Sequence, residues 1–464
     1  MTTNQKLAVA ATAILSATTA TNGQESRPNV VLILIDDMGQ RDLGCYGSQF
    51  YQTPNIDQLA EEGIQFENGY AACTVSSPSR AALMTGKYPA RLHLTDWIEG
   101  HKYPYAKLNV PDWMMYLDPE EQTIAEQLHT LDYQTWHVGK WHLGEQEKDW
   151  AENHGFDLNL GGWAKGSPYK NDKLGYKGYF PPYGNPRLED GEAGEYLTDR
   201  LTDEAVSLIE QRDKAKPFFL NLSHYAVHTP LGAKEEMIEK YKGLLDPNYF
   251  QKNTTYAAMV ESVDESVGRV VEALKNEGIY DNTLIIFTSD NGALANISPA
   301  LPLRLGKGER YEGGIRVPFI VRYGDRYAST KSDQPLISMD ITTTIESLVG
   351  IKGGNTDGKD IFGLLRKGDY DRPLFWHYPH YHAQGAIPYS AIRAGDWKLI
   401  ENFEDGSLEL YNLKDDIGES RNLVDSESKI ALRLHKQLQK WRESIDAQYP
   451  TPNPDYDPKK AHKK

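Results

Sequence analysis

The chain has 464 residues, with 50 lysines and arginines against 66 aspartates and glutamates, a formal charge of −16. An exterior of that sign repels nucleic acid and anionic membrane, which excludes a general polyanion binder. The length suits two or three domains or one large α/β body with an appendage, and 11% aromatic residues, mostly tyrosine, describe a globular protein.

In chain order, Lys6, the apolar run Leu7 to Leu15 and small residues through Ala20 have the pattern of a secretory signal peptide over 1–24, too short to span a membrane. The expectation is a periplasmic or secreted protein. No cysteine follows the run, so no lipoprotein or other membrane anchor is expected. Cys45 and Cys73 are the whole cysteine complement, which allows at most one intrachain disulfide. Val30 to Ile35 reads as a buried strand, Thr123 to Thr130 as a helix, Tyr133 to His137 as a strand, Leu201 to Gln211 as a helix and Pro217 to Leu222 as a strand. Ala257 to Leu274 places Val260, Val263, Val267, Val270, Val271 and Leu274 on one helical face, and the strand Leu284 to Phe287 follows. This alternation predicts an α/β fold with a doubly wound, mostly parallel sheet. Residues 145–198, rich in Gly, Pro and Tyr, read as a long insertion over one sheet edge. From Leu374 the short strands Leu374 to Tyr378, Ser390 to Arg393, Trp397 to Asn402 and Leu408 to Leu413, a hairpin turn at Glu404-Asp405-Gly406 and a helix Lys429 to Ile445 predict a smaller α+β subdomain with an antiparallel sheet. The expected division is a signal peptide 1–24, a catalytic α/β domain 25–365, a C-terminal subdomain 366–452 and a basic tail 453–464.

The unusual polar clusters fall just past the ends of the apolar strands. Asp36-Asp37 follow the first, Lys140 and His142 the Tyr133 strand, His228 the Phe218 strand, and Asp290-Asn291 the Leu284 strand. Parallel strands bring all four to one sheet edge, where such folds bind ligands. Asp-Asp and Asp-Asn-Gly are also ordinary turn chemistry, but their coincidence at corresponding strand ends favours a site. Three Asp and one Asn form an all-oxygen set suited to Ca²⁺, with Mg²⁺ also open. In Ser76-Ser77-Pro78-Ser79-Arg80-Ala81-Ala82-Leu83-Met84-Thr85-Gly86, Ser76 or Ser77 is a candidate N-cap, Pro78 fits the first turn, and Gly86 ends the helix. The start of that helix favours an anion.

Ser76-x-Pro78-x-Arg80 followed by Ala-Ala-Leu-Met-Thr-Gly resembles the signature of the type I sulfatases, the formylglycine-dependent branch of the alkaline-phosphatase superfamily. The resemblance extends over Ile35 to Gly39, His137 to Gly144, His154 to Asp157, His228-Thr229-Pro230, Thr288 to Gly292, Gly306-Lys307-Gly308 and Tyr311 to Pro318. Counting from Cys73 puts Val75 and Ser77 where Pro and Arg belong, whereas counting from Ser76 gives Pro78 and Arg80. The chain therefore resembles the serine-type members, in which a radical maturase oxidises the serine. Cys73 is then a small buried residue or the partner of Cys45. The resemblance implies formylglycine at position 76, whose hydrate attacks sulfur, and a cation held by Asp36, Asp37, Asp290, Asn291 and residue 76. It also implies that Arg80 and Lys140 fix the hydrate, that His142 is the base for sulfate elimination, and that His228 and Lys307 contact sulfate and assist the leaving oxygen. Arg316 reads as a structural ion pair. The aromatic stretch Trp376 to His382 and the pair Asp96-Trp97 are candidate sugar-contacting walls, so a sulfated carbohydrate is the expected substrate. A phosphodiesterase or phosphonate monoester hydrolase of the same superfamily is the rival enzyme, and a sulfated-glycan binder is the outcome if Ser76 stays unmodified.

Overall fold

The computed structural model describes residues 27–325 and 327–462; the expected signal segment 1–24 lies outside them. Strands β1 (Asn29–Ile35), β2 (Ile64–Phe66), β3 (Gln134–Gly139), β4 (Leu158–Leu160), β5 (Phe218–Ser223), β6 (Thr283–Ser289), β7 (Phe319–Arg322) and β8 (Thr330–Ser332) form one sheet in the order β8-β2-β7-β6-β1-β5-β3-β4. The run β6-β1-β5-β3-β4 is parallel throughout, and β7 alone opposes its neighbours.

β1 explains why. All seven of its residues are buried, a pattern that requires cover on both faces. Val31, Ile33 and Ile35 point to one face, against Leu201 and Ile209 of α3 (Leu197–Gln211) and Val260, Val263 and Val267 of α4 (Thr254–Asn276). Val30, Leu32 and Leu34 point to the other, against Ala81 and Met84 of α1 (Ser76–Thr85), Leu128 of α2 (Ile124–His129) and Ile345 of α5 (Met339–Val349). Each such buried aliphatic side chain contributes about 1.5–3 kcal/mol, so both helical layers are held by the period-2 pattern of one strand.

The 145–198 insertion does more than cover an edge. It supplies β4 itself, parallel to β3 with Trp136 opposite Leu158, and a small hairpin, Lys170–Asn171 against Tyr176–Lys177. The C-terminal sheet runs β9 (Leu374–Tyr378), β10 (Tyr389–Ala394), β11 (Trp397–Asn402), β12 (Leu408–Asn412), all antiparallel, with Gly406 at φ +71° in the turn before β12. Leu434 and Leu438 of α6 (Ser428–Ser444) pack into the same cluster as Ile392, Ile400, Val75 and Ala82, so this sheet abuts the start of α1. Beyond α6 the chain returns to the main body. Thr451–Pro452 pairs with Leu108–Asn109, and Asn453 Nδ2 donates to the Pro104 and Ala106 carbonyls. No helix among the described residues is long and apolar enough to cross a membrane.

Candidate active site

Strands β6, β1, β5 and β3 are neighbours, and the backbone ladder continues just past their ends. Asp36 N donates to Ala226 O (2.9 Å), Asp290 N to Ile35 O (3.1 Å) and Lys140 N to Ser223 O (2.7 Å). The four predicted clusters therefore meet. Asp37 adopts φ +62°, a left-handed turn that Asp tolerates, which lets two adjacent carboxylates serve one centre instead of opposite faces. Gly139 is left-handed too, and a Cβ there would lie 1.9 Å from Ser223 O, so only glycine lets Lys140 turn inward at this spacing.

α1 begins one residue earlier than the capping chemistry suggests. Val75 is the N-cap, Ser76 is the first helical residue, and Gly86 closes the helix at φ +70°. Neither serine caps it. Ser76 Oγ instead faces Asp36 Oδ1 (3.4 Å), Asn291 Oδ1 (3.3 Å) and Lys140 Nζ (3.1 Å). Ser77 Oγ accepts from Ile98 N (3.1 Å) and sits 3.3 Å from His142 Nδ1. The hydroxyls of the first turn are used by the site, a role that capping preference in the sequence does not reveal.

The charges are buried and matched. Lys140 Nζ donates to both Asp36 oxygens at 2.8 Å, and Arg80 donates from Nε to Asp290 (2.8 Å) and from Nη1 to the Lys140 carbonyl (3.0 Å) and Ser223 Oγ (2.6 Å). Lys307 Nζ lies 2.6 Å from Asp37 and 3.1 Å from His228 Nε2. Burial pushes the Asp36 carboxyl up to about 8 despite Lys140, and pushes the Lys140 ammonium down to about 8 despite Asp36. Burial is the largest single effect at Asp37 and Asp290, but the combined charges of Lys307, His228 and Lys140 at the first and of Arg80, Lys140 and Lys307 at the second outweigh it, and both carboxyls titrate below the usual range. Burial, reinforced by Lys140 and Arg80, holds His142 well below its ordinary value, so its imidazole is neutral. His228 falls to about 4 by burial, opposed by Asp37.

Carboxylates from Asp36, Asp37 and Asp290 and the Asn291 amide oxygen thus converge beside Ser76. Asn291 Nδ2 donates to Asp37 Oδ1 (2.8 Å), which turns its oxygen toward Ser76. Ligand atoms of Asp36, Asp37 and His228 all lie within 4.8 Å of one another. Three acids packed in a buried space with oxygen donors fit a hard divalent cation.

Above this floor is a cavity of about 300 Å³. Ser76, Lys140, His142, His228 and Lys307 line its base, and Trp97, Glu99, Lys165 and His382 its walls. All the predicted catalytic residues except Arg80 reach it, and Arg80 lies buried behind, between Asp290 and the Lys140 carbonyl. Trp97 is a wall, as expected. The Trp376 to His382 stretch is mostly not. Trp376 and Tyr378 are buried in the C-terminal core, His377 bonds Ser390 Oγ and the Gln448 carbonyl, and His380 bonds Thr95 Oγ1. β9 is a covered strand, so its aromatics face core, and within the stretch Trp376 to His382, His382 alone lines the cavity, followed by Ala383 and Gln384. Arg316 is ion-paired with Glu312 (3.1 Å). Both cysteines are free, and Cys73 is packed in core rather than at the site. Support residues absent from the sequence reading include Ser223 and Tyr256, whose hydroxyl donates to the Asp37 carbonyl (3.2 Å); Ser77 figures there only as a candidate cap. Ser223 is the last residue of β5, at the same strand end that marks the others.

A doubly wound α/β fold carrying, at its strand ends, a hydroxyl set among three buried acids and ringed by Arg80, Lys140 and Lys307 defines a hydrolase for tetrahedral oxyanion esters. The chain belongs to the sulfatase family: the family model described as "Sulfatase" matches residues 28–351, and a second, "N-sulphoglucosamine sulphohydrolase, C-terminal", matches 306–444. It is accordingly a sulfuric ester hydrolase. A sulfatase of Formosa agariphila is 33% identical over 92% of this chain and 91% of that protein. Human N-acetylgalactosamine-6-sulfatase is 33% identical over 77% of this chain and 69% of its own length. Among solved structures, Ps i-CgsB in complex with k-i-k-neocarrahexaose superposes with a TM-score of 0.77 at 32% identity, covering 93% of this chain and 95% of that one.

Proposed function

We propose that the protein is a serine-type, formylglycine-dependent sulfatase that removes sulfate from a sulfated carbohydrate, with Ser76 as the residue converted and Ca²⁺ held by Asp36, Asp37, Asp290 and Asn291. The observation that carries this reading is the position of Ser76 Oγ, between Asp36, Asn291 and Lys140. Relatives named for a sulfated amino sugar and a neighbour complexed with a neocarrahexaose support the carbohydrate.

Formylglycine, when formed, offers as its hydrate two hydroxyls where serine has one, which is what allows sulfate to be released again. A bound cation supplies positive charge that orients and acidifies the attacking oxygen. The remaining work belongs to this chain. Lys140 holds the oxygen on residue 76 with a hydrogen bond and, fixed by Arg80, offsets the negative charge accumulating there. His142 is neutral, and in the tautomer that carries its proton on Nδ1, facing Ser77 Oγ at 3.3 Å, its Nε2 is the proton acceptor for the elimination step. His228 donates from Nδ1 to the Thr229 carbonyl, which leaves Nε2 to accept from Lys307; the Lys307 ammonium is the proton source for the leaving oxygen. The catalytic body 25–365 and the subdomain 366–452 act together, since β9 to β12 support the start of α1. The signal-peptide pattern over 1–24 supports an enzyme acting in the periplasm or outside the cell. Sulfate release from defined carrageenan and chondroitin sulfate oligosaccharides tests the substrate class; turnover of aryl sulfates alone would contradict it.

A further inference from the structure

The catalytic cavity does not end at its walls. Lys165 lines it and also lines a second, wider groove of about 650 Å³ built by the 145–198 insertion. The groove presents the rings of Trp163, Tyr169 and Tyr176 in sequence, with centroids 5.7 Å apart for the first pair and 5.3 Å for the second. These rings are held rather than loose. Asn171 Nδ2 donates to Tyr169 Oη (3.1 Å), and Gly184 lies so close beneath Tyr176 that a Cβ there would be 2.6 Å from the ring. The acids Glu189 and Asp190 line the groove and not the cavity. The Trp163 carbonyl accepts from His142 N (3.3 Å), so the segment that starts the groove also positions the catalytic imidazole.

A row of preordered aromatic rings beside carboxylates matches the alternating apolar faces and hydroxyls of sugar residues. Lys165 stands at the junction, paired with Glu99 (3.0 Å) at a half-exposed position, and such a pair exchanges readily for a substrate anion. We infer that this groove binds the uncharged, hydroxyl-bearing sugar residues that continue from the sulfated residue, with Lys165 reading an anionic group at the junction, so that the enzyme favours oligosaccharides over single sugars. The inference rests on the carbohydrate reading above and adds to it where the chain of the glycan runs.

The test measures kcat and KM for 4-nitrophenyl sulfate and for disaccharides and hexasaccharides of carrageenan and of carboxyl-reduced chondroitin sulfate, each desulfated except at the residue that enters the cavity, in the wild type and two variants. The groove predicts that the hexasaccharide of whichever glycan is turned over exceeds its disaccharide by about 10-fold or more in kcat/KM, mainly through KM. Tyr169→Ala combined with Tyr176→Ala removes that advantage and leaves 4-nitrophenyl sulfate turnover unchanged. Leu174→Asp, at a groove position 60% exposed and harmless to the fold, weakens hexasaccharide use alone. Equal use of hexasaccharide and disaccharide by the wild type, or an equal effect of Leu174→Asp on every substrate, overturns the groove while leaving the carbohydrate reading in place. Hydrolysis of 4-nitrophenyl sulfate with no glycan turned over overturns the carbohydrate reading, and the groove with it.

Discussion

Lys140 Nζ stands 2.8 Å from both carboxylate oxygens of Asp36, and both side chains are fully buried. The same ammonium reaches Ser76 Oγ at 3.1 Å, so one cation both neutralises a buried acid and holds the proposed nucleophile. Lys140→Ala is expected to lower kcat about 10²–10³-fold, the scale of losing one fixed electrostatic stabiliser. Breaking a buried pair costs about 3–5 kcal/mol. Thermal unfolding followed by fluorimetry should show a drop in Tm that is larger in chelator than in excess calcium, because a bound cation replaces the missing charge beside Asp36.

Calcium itself should stabilise the native state by mass action, about 2.7 kcal/mol at a hundredfold excess over its dissociation constant. The expected result is a Tm that rises with calcium concentration, and an Asp290→Asn protein in which the rise is blunted, since one of the three converging carboxylates loses its charge. A Tm indifferent to calcium and to chelator would argue against the cation site.

Ser76→Ala is expected to abolish sulfate release, whereas Cys73→Ala should leave it largely intact and cost only the stability of one small buried side chain, about 1 kcal/mol. Cys73 is buried in the core cluster with Tyr378 and Tyr389 and does not line the cavity. The reverse pattern of activities would place the nucleophile at Cys73.

Asp96 supplies a pH signature away from the cation site. Burial pushes its carboxyl up to about 7, opposed by hydrogen bonds from Tyr378 Oη (2.7 Å) and its neighbour's N–H. A carboxyl that titrates near 7 when folded and near 4 when unfolded binds its proton more tightly in the native state. Its ionisation therefore costs stability above pH 7, by at most about 4 kcal/mol, and that cost disappears as pH falls through 7 toward 4. Asp96→Asn is expected to raise Tm relative to the wild type at pH 8 and to change it little at pH 5; equal differences at both values would refute the assignment.

The strand-end clusters were legible because a fully apolar strand needs two covered faces, and parallel strands so covered must end together. Asp36, Lys140, His228 and Asp290 follow from that rule alone. The aromatic stretch Trp376 to His382 misled because sugar-stacking rings and the covered face of a small antiparallel sheet use the same residue types; only the burial of β9 separates them. From local pattern alone Ser76 reads as a helix cap, because serine favours that place; only the resemblance to the sulfatase signature sets it apart, since its contacts are with partners 40 and 215 residues away in sequence. The groove in the insertion was illegible for a similar reason. Tyr169 and Tyr176 show no periodicity, and their alignment depends on a short hairpin and on Gly184 lying beneath a ring.

The central claim is the identity of residue 76 in the mature enzyme. Trypsin releases it in the peptide 42–80, bounded by Arg41 and Arg80. Mass spectrometry of that peptide from protein made in its native host should find it lighter than the encoded sequence by two hydrogens, localised to residue 76, with Cys73 unchanged. A peptide of unaltered mass from catalytically active enzyme would contradict the account.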